Sequence, residues 1–150
     1  MSERGRTWAV RAVFAAIALH VIGGMLLPMI VASPLLDGYH QDIAAAFWGA
    51  APVPAAALAL QRWWMALFGP TVQAAAIWMG ALAWIGARHR LSFAWGALIA
   101  GLLLWAPQDM LISLQAGAWR HVWLDAAALA GMLPPLACLV ILDRKKGLSC

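Results

Sequence analysis

The sequence predicts an all-α polytopic membrane protein: a four-helix transmembrane bundle with short interfacial helices in its outer loops, built as one domain over residues 1–150. Three observations carry this reading. Hydrophobic residues make up 65% of the chain and charged residues 11%, whereas a soluble domain is about 45–50% apolar and about 25% charged. A body this small has too much surface per volume to hide the excess from water. The apolar residues gather into four runs bounded by charge, each long enough to cross a hydrocarbon core. Ten tryptophans stand beside one tyrosine, and tryptophan favours the membrane–water interface.

The first run covers residues 12–33 and follows Arg4, Arg6 and Arg11. A basic start before an apolar stretch also describes a secretory signal. The one small-residue cleavage pattern, Val31-Ala32-Ser33, is followed by Pro34, and the stretch is long, so an uncleaved first span is expected. The other runs are residues 65–87, 91–107 and 121–142. At about 1.5 Å of rise per residue the four reach roughly 25 to 35 Å, the thickness of a bilayer core. The spans must be helical, because backbone polar groups in lipid need partners within the segment. No run alternates with period two, which excludes a barrel. Pro28 and Pro134-Pro135 should kink the first and last spans.

A fifth apolar stretch, residues 43–60, is alanine-rich and broken by Gly49, Pro52 and Pro54. Charge decides against its insertion. With four spans and an inner N-terminus, eight basic residues (Arg4, Arg6, Arg11, Arg88, Arg90, Arg144, Lys145, Lys146) lie inside and two (Arg62, Arg120) outside. Five spans would divide them equally, against the positive-inside rule. Residues 34–64 are therefore an outer loop with two short interfacial helices broken near Pro52 and Pro54, and Phe47, Trp48, Trp63 and Trp64 at head-group level. Residues 108–120 form a second, amphipathic outer loop. Both termini are cytoplasmic, and the alanine-rich composition points to a bacterial inner membrane.

The net charge of +4 does not indicate nucleic acid. The basic residues flank apolar runs, where they set topology and meet anionic lipid head groups. Cys138 and Cys150 form no disulfide framework, and no CxxC occurs. No Gly-x-Ser-x-Gly or phosphate-binding glycine loop is present. His20, His89 and His121 sit at different depths, which argues against a bis-histidine haem; a hydrogen bond to a backbone carbonyl or a neighbouring helix is expected for His20. Small residues recur four apart at Ala12/Ala16, Ala76/Gly80, Ala97/Gly101 and Ala127/Gly131, and Gly23-Gly24 interrupts the first span. Such sites let helices approach closely.

Polar residues inside a membrane are functional suspects. Counted by helical rise, Gln73 and Trp105 lie roughly 21 Å from the inner surface and Asp125 roughly 25 Å, with Gln108 and Asp109 just past Trp105. Arg120 and His121 stand just above that level. Gln73, Trp105, Gln108, Asp109, Arg120, His121 and Asp125 are the candidate ligand-binding set. Their simplest role is to pair, Asp125 with Arg62 or Arg120 and Asp109 with a neighbouring amide, which would hold the outer loops onto the bundle. Asp37-x-x-His40-x-Asp42 and His121-x-x-x-Asp125 offer ligand types that suit zinc, but no recognised metal motif appears, and no metal or cofactor is expected. Two functions fit. One is a non-enzymatic accessory or scaffold subunit that packs its helices against itself or a larger membrane complex. The other is a binder or carrier of a lipophilic or amphipathic small molecule, using the outer polar set. A membrane enzyme with Asp109, His121 or Asp125 as acid–base groups is a third reading.

Overall fold

The computed structural model describes residues 3–147, with side chains to Arg144. Cys150 and the side chains of Lys145 and Lys146 lie outside the described residues. The fold is all-helical: α1 (Glu3–Ile30), a 3-10 turn (Pro34–Leu36), α2 (Asp37–Trp48), α3 (Ala55–His89), α4 (Ser92–Gln115) and α5 (Trp119–Gly147). Four of these, all but α2, are long and apolar enough to cross a membrane. They form an up-down-up-down bundle in the ring order α1, α3, α4, α5. One end, here the basic end, holds Arg6, Arg88, Arg90 and Arg144. The other, the loop end, carries α2.

The helices run beyond the apolar runs. α3 begins at Ala55, so the second expected interfacial helix is the first part of a 35-residue helix. Pro52 and Pro54 precede it and end the preceding turn, as residues lacking an N–H do well at helix starts. α4 continues through Pro107 to Gln115, which turns most of the expected second loop into helix. The helices also pass through Pro28, Pro70, Pro134 and Pro135.

The seams differ in tightness. α1 and α3 pack most closely, and α3 and α4 least. At the α1–α3 crossing a Cβ on Gly69 would sit 2.5 Å from the Gly24 carbonyl oxygen and 2.7 Å from Pro28 Cδ. The cause is local chemistry. Pro28 has no N–H to bond the carbonyl four residues back, and that free carbonyl belongs to Gly24. It turns toward Gly69, where only hydrogens stand in the way. The expected small-residue pairs behave otherwise. A Cβ on Gly101 or Gly131 would meet nothing within 4 Å, and one on Gly80 only Ile17. Those glycines do not seal seams within the bundle, because the helices are rotated so that Gly24, Gly69 and Gly86 face their neighbours instead.

The core of Val13, Ile17, Ala83, Trp95, Leu98, Met132, Leu136 and Leu139 is apolar; His40, Ser113, Asp125 and Asp143 are the buried polar residues among those described, and Asp143 lies at the basic end. Asp143 of α5, 3% exposed, accepts hydrogen bonds from Arg6 Nε of α1 (2.7 Å), Arg6 Nη2 (3.1 Å) and Trp95 Nε1 of α4 (2.9 Å). Arg6 Nη2 also donates to the Ala87 carbonyl of α3 at 3.0 Å. All four long helices are thus linked through the Arg6–Asp143 pair. Around the outside, Phe93, Leu104, Trp78, Leu19 and Met29 are exposed. So large an apolar surface belongs in lipid rather than water.

Near this end α3 stops at Arg90, which takes a left-handed conformation (φ 53°) and pairs with Glu3 at 2.8 Å. Leu91 N–H bonds back to the Gly86 carbonyl, a wrap that satisfies the last carbonyls of a helix. The tight turn lays α4 beside α3, with Trp95 against Gly86.

Candidate functional site

α4 and α5 form a hairpin through Gly117, whose φ of +74° suits glycine. Ala118 N–H bonds to the Ser113 carbonyl at 2.8 Å, which closes the turn. Asp109 and Asp125 stand equally far along the chain on either side of Gly117, so the hairpin sets them at one height. His121 is one helical turn before Asp125 and shares its face. The ligand-type atoms of Asp109, His121 and Asp125 all lie within 4.8 Å of one another. His121 Nε2 is 3.5 Å from Asp109 Oδ2. Asp125 is 4% exposed, and its Oδ2 has no hydrogen-bond partner.

α2 completes this end. His40, itself buried, donates from Nε2 to the Val31 carbonyl at 2.7 Å, and Gln61 donates to its Nδ1 at 3.1 Å. Arg120 donates to Asp42. These bonds tie α2 to the end of α1, to α3 and to the start of α5, and the Tyr39 hydroxyl stands 3.1 Å from His121 Nδ1. Tyr39 is the residue that sequence reasoning missed. Its one signal was being the sole tyrosine of the chain. Burial raises the Tyr39 pKa above its ordinary value, and the charges of Asp109 and Asp125 add to the rise. The neutral phenol is therefore favoured in the fold. Its contribution to stability is complete below pH about 10, the unfolded value, and is lost as pH rises through the higher folded value. With no other tyrosine present, tyrosinate difference absorbance reads this group directly. A midpoint above 10 is expected, lowered in Asp109→Asn but still raised, since burial is the larger cause. An ordinary midpoint in the wild type would mean that α2 does not dock as described.

The structure separates the other candidates from this cluster. Gln73 lies against Gly24 at the α1–α3 crossing. Gln108 bonds the Leu104 carbonyl of its own helix. Arg120 is turned to Asp42, and Arg62 Nε is buried with no partner, so neither arginine neutralises Asp125. The expected Asp125–arginine pair is corrected accordingly: α2 supplies the carboxylate that Arg120 takes. His40 and Asp42 are likewise engaged elsewhere. His20 bonds the Ala16 carbonyl of its own helix at 2.7 Å.

Trp105 lines a cleft of about 680 Å³ that runs from His20 and Leu82 to the Asp109–His121–Asp125 cluster. It lies where α3 and α4 part after their contact at Gly86 and Trp95. The walls are apolar: Phe68, Val72 and Met79 from α3, Leu102 from α4 and Leu124 from α5. Trp78, Phe68 and Trp105 at its border are exposed, so the cleft opens to the bundle's surroundings. No family model matches the chain, and neither does any curated protein or solved structure. Function must be read from this geometry.

Proposed function

We propose that this chain is a multi-pass protein of a bacterial inner membrane, with both termini cytoplasmic, that binds or carries an amphipathic lipophilic molecule in the cleft between α3 and the α4–α5 hairpin. The observation that carries the reading is the cleft itself, apolar along most of its walls, with the Asp109–His121–Asp125 cluster at one end and His20 and Thr71 as its other polar lining. Its volume falls within the range of about 300–1,000 Å³ usual for small-molecule sites. The apolar body of a ligand would replace lipid tails along α3. Its polar end, a hydroxyl or amine, would give a hydrogen bond to Asp125 Oδ2, the acceptor without a partner. The basic end supports the orientation, since Arg11 lies over Trp8 and Arg88 over Trp84, cation and aromatic side by side as at a head-group boundary. Packing as a scaffold subunit gains less from the geometry: Gly101 borders the cleft, not a helix seam.

The test is photo-crosslinking with an alkyl alcohol bearing a diazirine, followed by peptide mapping of the protein in nanodiscs. Labels are expected on the cleft faces of α3 and α4, and should fall at least about tenfold in Gly101→Trp. A Cβ at Gly101 meets nothing within 4 Å and Gly101 lines the cleft, so the indole is expected to occupy it. Labels spread evenly over exposed faces such as Leu19 and Phe93, and unchanged in Gly101→Trp, would defeat the reading.

A further inference from the structure

We propose that Asp109, His121 and Asp125 bind a divalent first-row transition-metal ion, with zinc as its representative. The inference goes beyond the cleft ligand and stands whether or not the cleft holds one.

Four observations converge. The donor set, one imidazole and two carboxylates, suits such ions. The donor atoms are already gathered within 4.8 Å of one another. For bonds of about 2.0–2.1 Å in tetrahedral geometry, donors stand roughly 3.3 Å apart. The His121–Asp109 separation of 3.5 Å is close to that spacing and long for a hydrogen bond, whose usual length is about 2.9 Å. The other separations are at most 4.8 Å.

The third observation is Asp125. Its side chain is buried, it lines the cleft, and Oδ2 has no partner. A buried carboxylate without a counter-charge is costly. Neither arginine at this end supplies one, because Arg120 is turned to Asp42. A dication matches the two carboxylates in charge.

The fourth is Tyr39. Histidine ligands usually hold their other ring nitrogen in a hydrogen bond that fixes tautomer and orientation. His121 Nδ1 lies 3.1 Å from the Tyr39 hydroxyl. With Nδ1 protonated and donating to that oxygen, the Nε2 lone pair faces Asp109. All three donors border the cleft, which leaves a coordination position for water or for the polar end of a cleft ligand.

The experiment uses the full chain in nanodiscs, stripped with chelator and reloaded with zinc chloride or cobalt chloride. Metal is counted by mass spectrometry, and cobalt is also read by visible absorption. About one ion per chain is expected in the wild type. Asp125→Asn and His121→Gln should abolish stoichiometric uptake. Tyr39→Phe should weaken it about 10–100-fold, the usual effect of losing an outer-shell partner. Glu3→Gln, at an exposed carboxylate paired with Arg90 at the opposite, basic end, should bind as the wild type does. Wild-type protein that takes up no zinc or cobalt after reloading overturns the proposal, as does uptake equal in wild type and Asp125→Asn. Because the wild-type measurement alone can fail, misfolding of a variant does not shield the idea. Diazirine labelling of the cleft is scored on stripped protein, so the two readings fail independently.

Discussion

Asp143→Ala is expected to destabilise the bundle by about 3–5 kcal/mol, the usual consequence of removing one partner of a buried ion pair. The Asp143 side chain is fully buried, and Arg6 is 13% exposed. Removing the carboxylate strands a guanidinium and the Trp95 indole N–H inside the basic end. α1 and α4 also lose their shared acceptor on α5, and Arg6, which bonds the Ala87 carbonyl of α3, loses the carboxylate that holds its Nε and Nη2. Detergent-denaturation curves followed by circular dichroism give the comparison. The double variant Arg6→Met with Asp143→Leu should recover most of the loss, because an apolar pair of similar volume is often neutral or better. Trp95→Phe should cost less, about 1.5–3 kcal/mol, one hydrogen bond to a charged group. An Asp143→Ala protein as stable as the wild type would mean that the pair is not buried as described.

The second large effect is expected at the α1–α3 crossing. Gly69→Ala and Gly24→Ala each place a carbon where the partner helix's backbone stands, 2.5 and 2.6 Å from a carbonyl oxygen. Backbone cannot swing aside as a side chain can, so the helices must separate. Overpacking of this kind costs about 1–3 kcal/mol, and leucine at either site should cost more. Gly131→Ala and Gly101→Ala meet open space and should stay within about 0.5 kcal/mol of the wild type. Equal effects at all four glycines would contradict the described rotation of the helices.

Some of this was legible in the residues. Long apolar runs between charges specify helices that cross a membrane, because lipid leaves the backbone no other partner. The level shared by Asp109 and Asp125 followed from counting helical rise, and the glycine turn between them sets it in the structure. His121 and Asp125 share a face for reasons of period alone. The Arg6 clasp was not legible. Arg6 reads like Arg4 and Arg11, a basic residue at the start of a span, and nothing local says which of the three turns inward.

The sequence by itself determined the number of helices long and apolar enough to span a membrane, their order and the heights of their polar residues, since each depends only on distance along a helix. Tertiary structure decided rotation and docking. In a helix apolar on every side, hydrophobic pattern does not mark the face that meets a neighbour. Contacts such as the Gly24 carbonyl against Gly69 set it instead. The position of α2 rests on bonds between distant residues, His40 to Val31 and Gln61, and Asp42 to Arg120. Those bonds take Arg120 away from Asp125 and bring Tyr39 to His121. They turn a row of polar residues at one height into a buried carboxylate without a counter-charge, beside an oriented imidazole.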